Sequence, residues 1–209
     1  MQLCAVDGPL FLNLEALDIW RIQDPFVPFI PLFLSPATTA IDFTFSESDL
    51  PKAMVASLVT TILKLCPYLW KICFYSLPGD PIITTAVSRM LLVTNRDTLQ
   101  HLHVDSPLTK EASEVIYKLP NLRSLSITIE RGNSLPSASL PNLTDLIIEC
   151  DNEDDWPQLL RGAVLGKLES ITFSPQSEQI GDFLEAFKRA ALSSSVRNTL
   201  RSENLILSP

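Results

Sequence analysis

Residues 119–149 read LPNLRSLSITIERGNSLPSASLPNLTDLIIE, and they say nearly the same thing twice. Leu119-Pro120-Asn121-Leu122 returns as Leu140-Pro141-Asn142-Leu143, a shift of 21 residues. Each copy runs into an alternating tail, RSLSITI and TDLIIE, whose apolar side chains recur at every second position. Such alternation marks a strand with one buried face. Reduced to its apolar skeleton the unit is Leu-x-x-Leu-x-Ile. The skeleton occurs seven times, starting at Leu14, Thr38, Leu69, Leu99, Leu122, Leu143 and Leu168, at intervals of 24, 31, 30, 23, 21 and 25 residues. The second copy carries Thr38 in slot one. The others keep a leucine there, and every copy has Ile, Val or Phe in slot six.

Slots four and six share one face of a strand. Slot one precedes the strand and turns into the same core. A single unit has nothing against which to bury that face, whereas stacked neighbours form a continuous core beneath a parallel sheet. The period and skeleton are those of leucine-rich repeats. The expected fold is therefore α/β: a leucine-rich-repeat-like solenoid, an irregular horseshoe with the parallel sheet on its concave side and helices and loops on its convex side. Three regions are expected: an N-terminal flank over 1–13, the arch over 14–176, and a C-terminal helix with a degenerate last repeat over 177–209. That last unit is read from Leu200, which puts polar Glu203 in slot four.

The segments between strands supply the return paths. DLPKAMVASLVTTILKLCP predicts a helix capped by Asp49 that stops before Pro67. DPIITTAVSRMLLV repeats the device with Asp80 and Pro81, and SPLTKEASEVIYKLP predicts a third helix ending before Pro120. DDWPQLLRGAV reads as a shorter helix. SEQIGDFLEAFKRAAL places Ile180, Phe183, Leu184, Phe187 and Ala191 on one helical face. ERGNSLPSAS is polar and broken by Gly and Pro, which predicts an extended loop.

Composition narrows the function. At 209 residues and 46% hydrophobic the chain is long and apolar enough for a substantial core. Net charge is −8 with pI about 4.7, and no basic stripe is present, so neither nucleic acid nor an anionic membrane is an expected partner. The acidic run from Glu149 to Asp155 lacks the alternating carboxylates and central glycine of a calcium loop. Cys4, Cys66, Cys73 and Cys150 show no two-residue spacing, and they read as reduced thiols of a cytoplasmic or nuclear protein. The N-terminus has no basic region ahead of its apolar run, unlike a signal peptide.

Slots three, five and seven face away from the core and form the expected binding surface. They carry Asp18 and Trp20, then Asp42 and Thr44, then Lys71, Cys73 and Tyr75, then His101, His103 and Asp105, and further on Ser124, Ser126 and Thr128, then Asp145, Ile147 and Glu149. Aromatic side chains in a mixed polar setting are what protein hot spots use. The binding residues expected are Asp18, Trp20, Lys71, Tyr75, His101, His103 and Asp105. No metal is expected: the two histidines with Cys73 and Asp105 lie on flat sheet positions that do not converge tetrahedrally. GAVLGKL has three residues between its glycines, not four, and Leu168 follows the lysine, so no phosphate loop is read. No GxSxG elbow occurs. No catalytic residue and no cofactor are expected, and the chain is not read as an enzyme.

Several stretches also resemble one family. FVPFIPLFLSP (26–36), LPKAMVASLVTTILKLCP (50–67), HVDSPLTKEASEVIYKLPNLRSLSI (103–127), LPNLTDLIIE (140–149), LGKLESITF (165–173) and IGDFLEAF (180–187) resemble the repeat region of the F-box/leucine-rich-repeat-like proteins of mushroom-forming fungi. The resemblance spans roughly residues 11–192. It implies a substrate-recognition arch of an F-box-type ubiquitin ligase, with a protein bound on the concave face. The residues before Leu14 are too few for an F-box, so a Skp1-type adaptor is implied only if an F-box lies upstream. The alternative is a free-standing leucine-rich-repeat regulator of a GTPase or another enzyme, which asks for a placed arginine at the rim; Arg123 and Arg131 are available, without a supporting motif.

Overall fold

A computed structural model describes residues 8–46, 50–77, 83, 85–88, 95–105, 114–116, 118–129, 140–150, 167–175 and 205–207. Among these residues eight strands form one sheet: β1 (Ala16–Ile22), β2 (Ala40–Phe45), β3 (Lys71–Tyr75), β4 (His101–Val104), β5 (Ser124–Ile129), β6 (Asp145–Cys150), β7 (Ser170–Pro175) and β8 (Leu205–Leu207). Their order in the sheet is their order in the chain, and every pairing is parallel. The fold is mixed α/β, built on a parallel sheet.

The register follows the repeat skeleton. Slot four aligns as Leu17, Ile41, Ile72, Leu102, Leu125, Leu146 and Ile171 across β1 to β7, and slot six as Ile19, Phe43, Phe74, Val104, Ile127, Ile148 and Phe173. From Ile41 to Ile171 the slot-four row is at most 2% exposed, and from Phe43 to Ile148 so is the slot-six row. A one-residue slip would turn both rows to the opposite face, so burial pins the register. Leu69, Leu99, Leu122, Leu143 and Leu168 fill slot one beneath them, each fully or almost fully buried. Thr38 is buried in the same row, because its hydroxyl donates to the Leu14 carbonyl of the preceding unit at 2.9 Å. A leucine there would leave that carbonyl without this partner.

The start of each strand repeats one backbone device. The carbonyls of Glu15, Thr39, Trp70, Gln100, Arg123 and Thr144 each accept two consecutive N–H groups from the next unit. Side chains add to it around Leu69. Its N–H donates to Asn95 Oδ1 at 3.0 Å, and its carbonyl accepts the Thr98 hydroxyl at 2.8 Å.

On the core side, helix α1 (Lys52–Leu65) presents Val55, Leu58, Val59 and Ile62 to the sheet and stops, as its sequence predicts, before Pro67. Pro51 stands at its N-cap without a side-chain cap, and Asp49 lies outside the described residues. Residues 85–88 and 114–116 are helical, within the second and third helices read from sequence. Asp80 with Pro81, the loop read over 130–139, the short helix read over 154–164 and the helix read over 177–192 lie outside the described residues.

Two features depart from the sequence reading. Asp24–Phe33 forms a 3-10 helix between β1 and β2. Pro25, Pro28 and Pro31 recur every three residues, matching its three residues per turn, so they share an outer face while Val27 and Ile30 are buried. The eighth repeat is also shifted. Leu205 pairs with Ile171 and Leu207 with Phe173, so slot four is Leu205, not Glu203. The unit therefore begins two residues later than the reading from Leu200, with Leu205 in register with Ile171 and Leu207 with Phe173.

Candidate functional site

The slot-three, slot-five and slot-seven positions lie opposite the core rows. Ala16, Ala40, Lys71, His101, Ser124 and Asp145 align in one row, and Asp18, Asp42, Cys73, His103, Ser126 and Ile147 in the next. The densest cluster sits on β2, β3 and β4. Lys71 Nζ donates to Asp42 Oδ2 at 3.0 Å across β2 and β3. The Tyr75 ring lies against His103 with centroids 4.1 Å apart. Trp70 meets His101 edge-on at 5.3 Å. Two aromatic–imidazole pairs therefore flank one ion pair.

Cys73, Tyr75 and His101 are held in their neutral forms beside that pair. The hydrogen bond to Asp42 holds the Lys71 ammonium above the usual lysine range. Burial pushes the Cys73 thiol up to about 11, and the Asp42 carboxylate adds to it. Burial, then Cys73 and Asp42, push the Tyr75 phenol up to about 12. Burial, then the charge of Lys71, hold the His101 imidazole below the ordinary histidine range. At neutral pH the face presents a thiol, a phenol and a neutral imidazole around Lys71 and Asp42.

Four of the expected binding residues, Lys71, Tyr75, His101 and His103, come together here. Asp105 does not join them as a free acid. Its carboxylate accepts the N–H of Ser76 through Oδ2 and that of Leu77 through Oδ1 at 3.2 Å, closing the end of β3 where Ser76 takes a φ of 53°. Asp18 is exposed on β1, in the row of Asp42 and Cys73. Trp20 stands apart, 76% exposed on the outermost strand. It lines an apolar groove of about 390 Å³ with Leu17, Ile19, Phe26, Phe29 and Phe33. A bulge causes this: Ile19 pairs with Phe43 and Ile22 with Phe45, so Trp20 and Arg21 together oppose Thr44, and Arg21 takes a φ of 56°.

Two contributors escaped the slot reading. Asp42 was assigned to the surface but not to the site, because its partner is 29 residues away. Trp70 occupies slot two, which was read as neither core nor surface, yet it is 40% exposed and contacts His101. An aromatic residue in an otherwise polar slot was the available signal.

The four groups weighed as metal ligands point to separate partners, and among the described residues no group of three or more His, Cys, Asp or Glu is placed to hold a metal ion. Among them no helix is long and apolar enough to cross a membrane. No family model matches the chain, and no curated protein matches it.

Proposed function

We propose that this chain is a leucine-rich-repeat-like solenoid whose sheet face recognises a protein through the cluster on β2 to β4. The observation that carries this is the pairing of Tyr75 with His103 and of Trp70 with His101 on either side of the Lys71–Asp42 ion pair. Aromatic rings held by neighbours lose little rotamer freedom on binding, and a single ion pair beside them sets orientation more than affinity. The shape supports the same reading. Seven skeletons at intervals of 21–31 residues fall on seven consecutive parallel strands in one register.

Within this proposal the substrate arch of an F-box-type ubiquitin ligase is the most specific role, and it rests on the resemblance of the repeat stretches. A Skp1-type adaptor then requires an F-box on the same polypeptide. A partner captured by the native chain provides the test. Replacing Trp70 and Tyr75 with Ala weakens that partner by ~2 kcal/mol or more, while Lys64→Ala on the exposed side of α1 leaves it unchanged. Thermal unfolding of each variant confirms that the fold is retained. A partner that ignores both aromatic changes but is lost on replacing Trp20 and Phe26 would place recognition in the N-terminal groove and reject this site.

A further inference from the structure

A second cavity, of about 330 Å³, lies at the leading rim of the later strands and is lined by Gln100, Asn121, Arg123, Asn142, Thr144 and Lys167. The repeat explains its composition. Gln100, Arg123 and Thr144 hold slot two of successive units, and Asn121, Asn142 and Lys167 hold the position just before slot one. Two columns of polar side chains therefore run side by side, stepping ~4.8 Å from strand to strand. None of this belongs to the aromatic cluster on the sheet face.

The lining is cationic and rich in donors. Arg123 and Lys167 supply two positive charges, and among the described residues no carboxylate lines the cavity, in a chain of net charge −8. The amides are held in place by the backbone of the preceding unit. Asn121 Nδ2 donates to the Asp97 carbonyl at 2.7 Å, and Asn142 Nδ2 to the Pro120 carbonyl at 2.9 Å. Lys167 Nζ donates to Asn142 Oδ1 at 2.8 Å, which fixes which way that amide faces. Each asparagine has a second N–H to give, and the ammonium two more. The nearest slot-three acid, Asp145, accepts the Thr144 hydroxyl at 2.6 Å. The Arg123 guanidinium makes no hydrogen bond or ion pair with the described residues, and its field adds to that of Lys71 in holding His101 neutral.

We propose that this cavity is a phosphate-binding site, with Arg123 as a forked ligand and Lys167 as the second charge. A planar guanidinium matches two oxygens of a phosphate at once, and the ammonium neutralises a third. Charge decides between oxyanions. A phosphate or phosphate monoester carries −1.5 to −2 near neutral pH, which meets two cations, whereas a carboxylate carries one charge and two oxygens and leaves donors unused. Arg123 and Lys167 stand two strands apart and in adjacent columns, at least ~9.6 Å at the backbone, and both side chains reach the one cavity that a single tetrahedral group would occupy. Free phosphate and a phosphorylated side chain share this chemistry.

Calorimetric titration of the full chain with inorganic phosphate, at constant ionic strength set by chloride, tests the site. Saturable binding at one site is expected. Arg123→Met and Lys167→Met each weaken it by about tenfold or more, and Lys64→Met on α1 leaves it unchanged. Both cavity side chains are exposed, so the melting temperature without phosphate stays the same and a loss of binding is not a loss of fold. An N-acetyl phosphoserine amide separates the two sources. Tighter binding than inorganic phosphate assigns the site to a phosphorylated partner, and equal or weaker binding assigns it to the free ion. Absence of saturable binding, equal binding by the two methionine variants, or acetate competing as well as phosphate would overturn the proposal.

Discussion

The carboxylate of Asp105 closes the end of the neighbouring strand, and its value to the fold follows from what it satisfies. The N–H groups of Ser76 and Leu77 have it as their acceptor, and Ser76 is held at a positive φ that a serine rarely adopts. Asp105→Ala leaves both donors unmet in a half-buried turn and costs about 1–3 kcal/mol in denaturant unfolding. Asp105→Asn keeps one acceptor and costs less. His101 acts through pH instead. Burial and Lys71 lower its pKa in the folded chain, with Arg123 acting the same way and Asp145 against them. The unfolded chain therefore binds a proton that the folded chain refuses, and stability falls as pH drops below ~6.5, the unfolded histidine value, toward the lower folded one. Exposure of the ring to water screens the effect, so the slope is shallow. Unfolding midpoints measured from pH 8 to pH 5 show it in the native chain, and His101→Asn flattens it.

At the scale of the element, each strand contributes two core side chains and its neighbours do the rest. Leu125 on β5 is 0% exposed, between Leu102 and Leu146 in the slot-four row. Leu125→Ala removes buried methyl groups and leaves a cavity that the flanking strands cannot close, at a cost of ~2–5 kcal/mol. A loss below about 0.5 kcal/mol, the range of ordinary surface changes, would contradict the register. The 3-10 helix has a different source of order. Its three prolines restrict φ in the unfolded chain as well as the folded one, so part of the ordering cost is already met. That is how ten residues of a weakly hydrogen-bonded helix persist between β1 and β2.

For the whole molecule, the parallel sheet has two ends, and the structure describes the N-terminal one in detail. Among the described residues β1 pairs on one side only; it carries a bulge, and leaves Leu17 and Ile19 partly buried where the same slots on β2 to β6 are fully buried. Leu10, Phe11, Leu12, Trp20 and Phe26 are exposed around it. Local opening takes less free energy where apolar contacts are few. Amides of β1 should accordingly exchange with deuterium well before those of β3 to β6 in the isolated chain. Protection of β1 equal to that of β4 would show that its edge is covered in solution.

The sequence by itself determined the seven skeleton strands, their order, their register and the two buried rows, since alternation and a recurring spacing are local patterns that burial then enforces. It also picked out Lys71, Tyr75, His101 and His103 as neighbours, because the register that buries Ile72 and Leu102 puts these four on the other face. Only the tertiary structure decided what depends on a chain segment 20–30 residues away. Asp42 was claimed by Lys71, Asp105 by the backbone after β3, and Trp20 was turned into a groove by one extra residue in β1. Trp70 and the rim column of Arg123 and Lys167 became visible when stacking brought slot two of successive units side by side. The start of the last unit moved by two residues for the same reason: a degenerate repeat has no register of its own and takes the one that pairs Leu205 and Leu207 with Ile171 and Phe173 of β7.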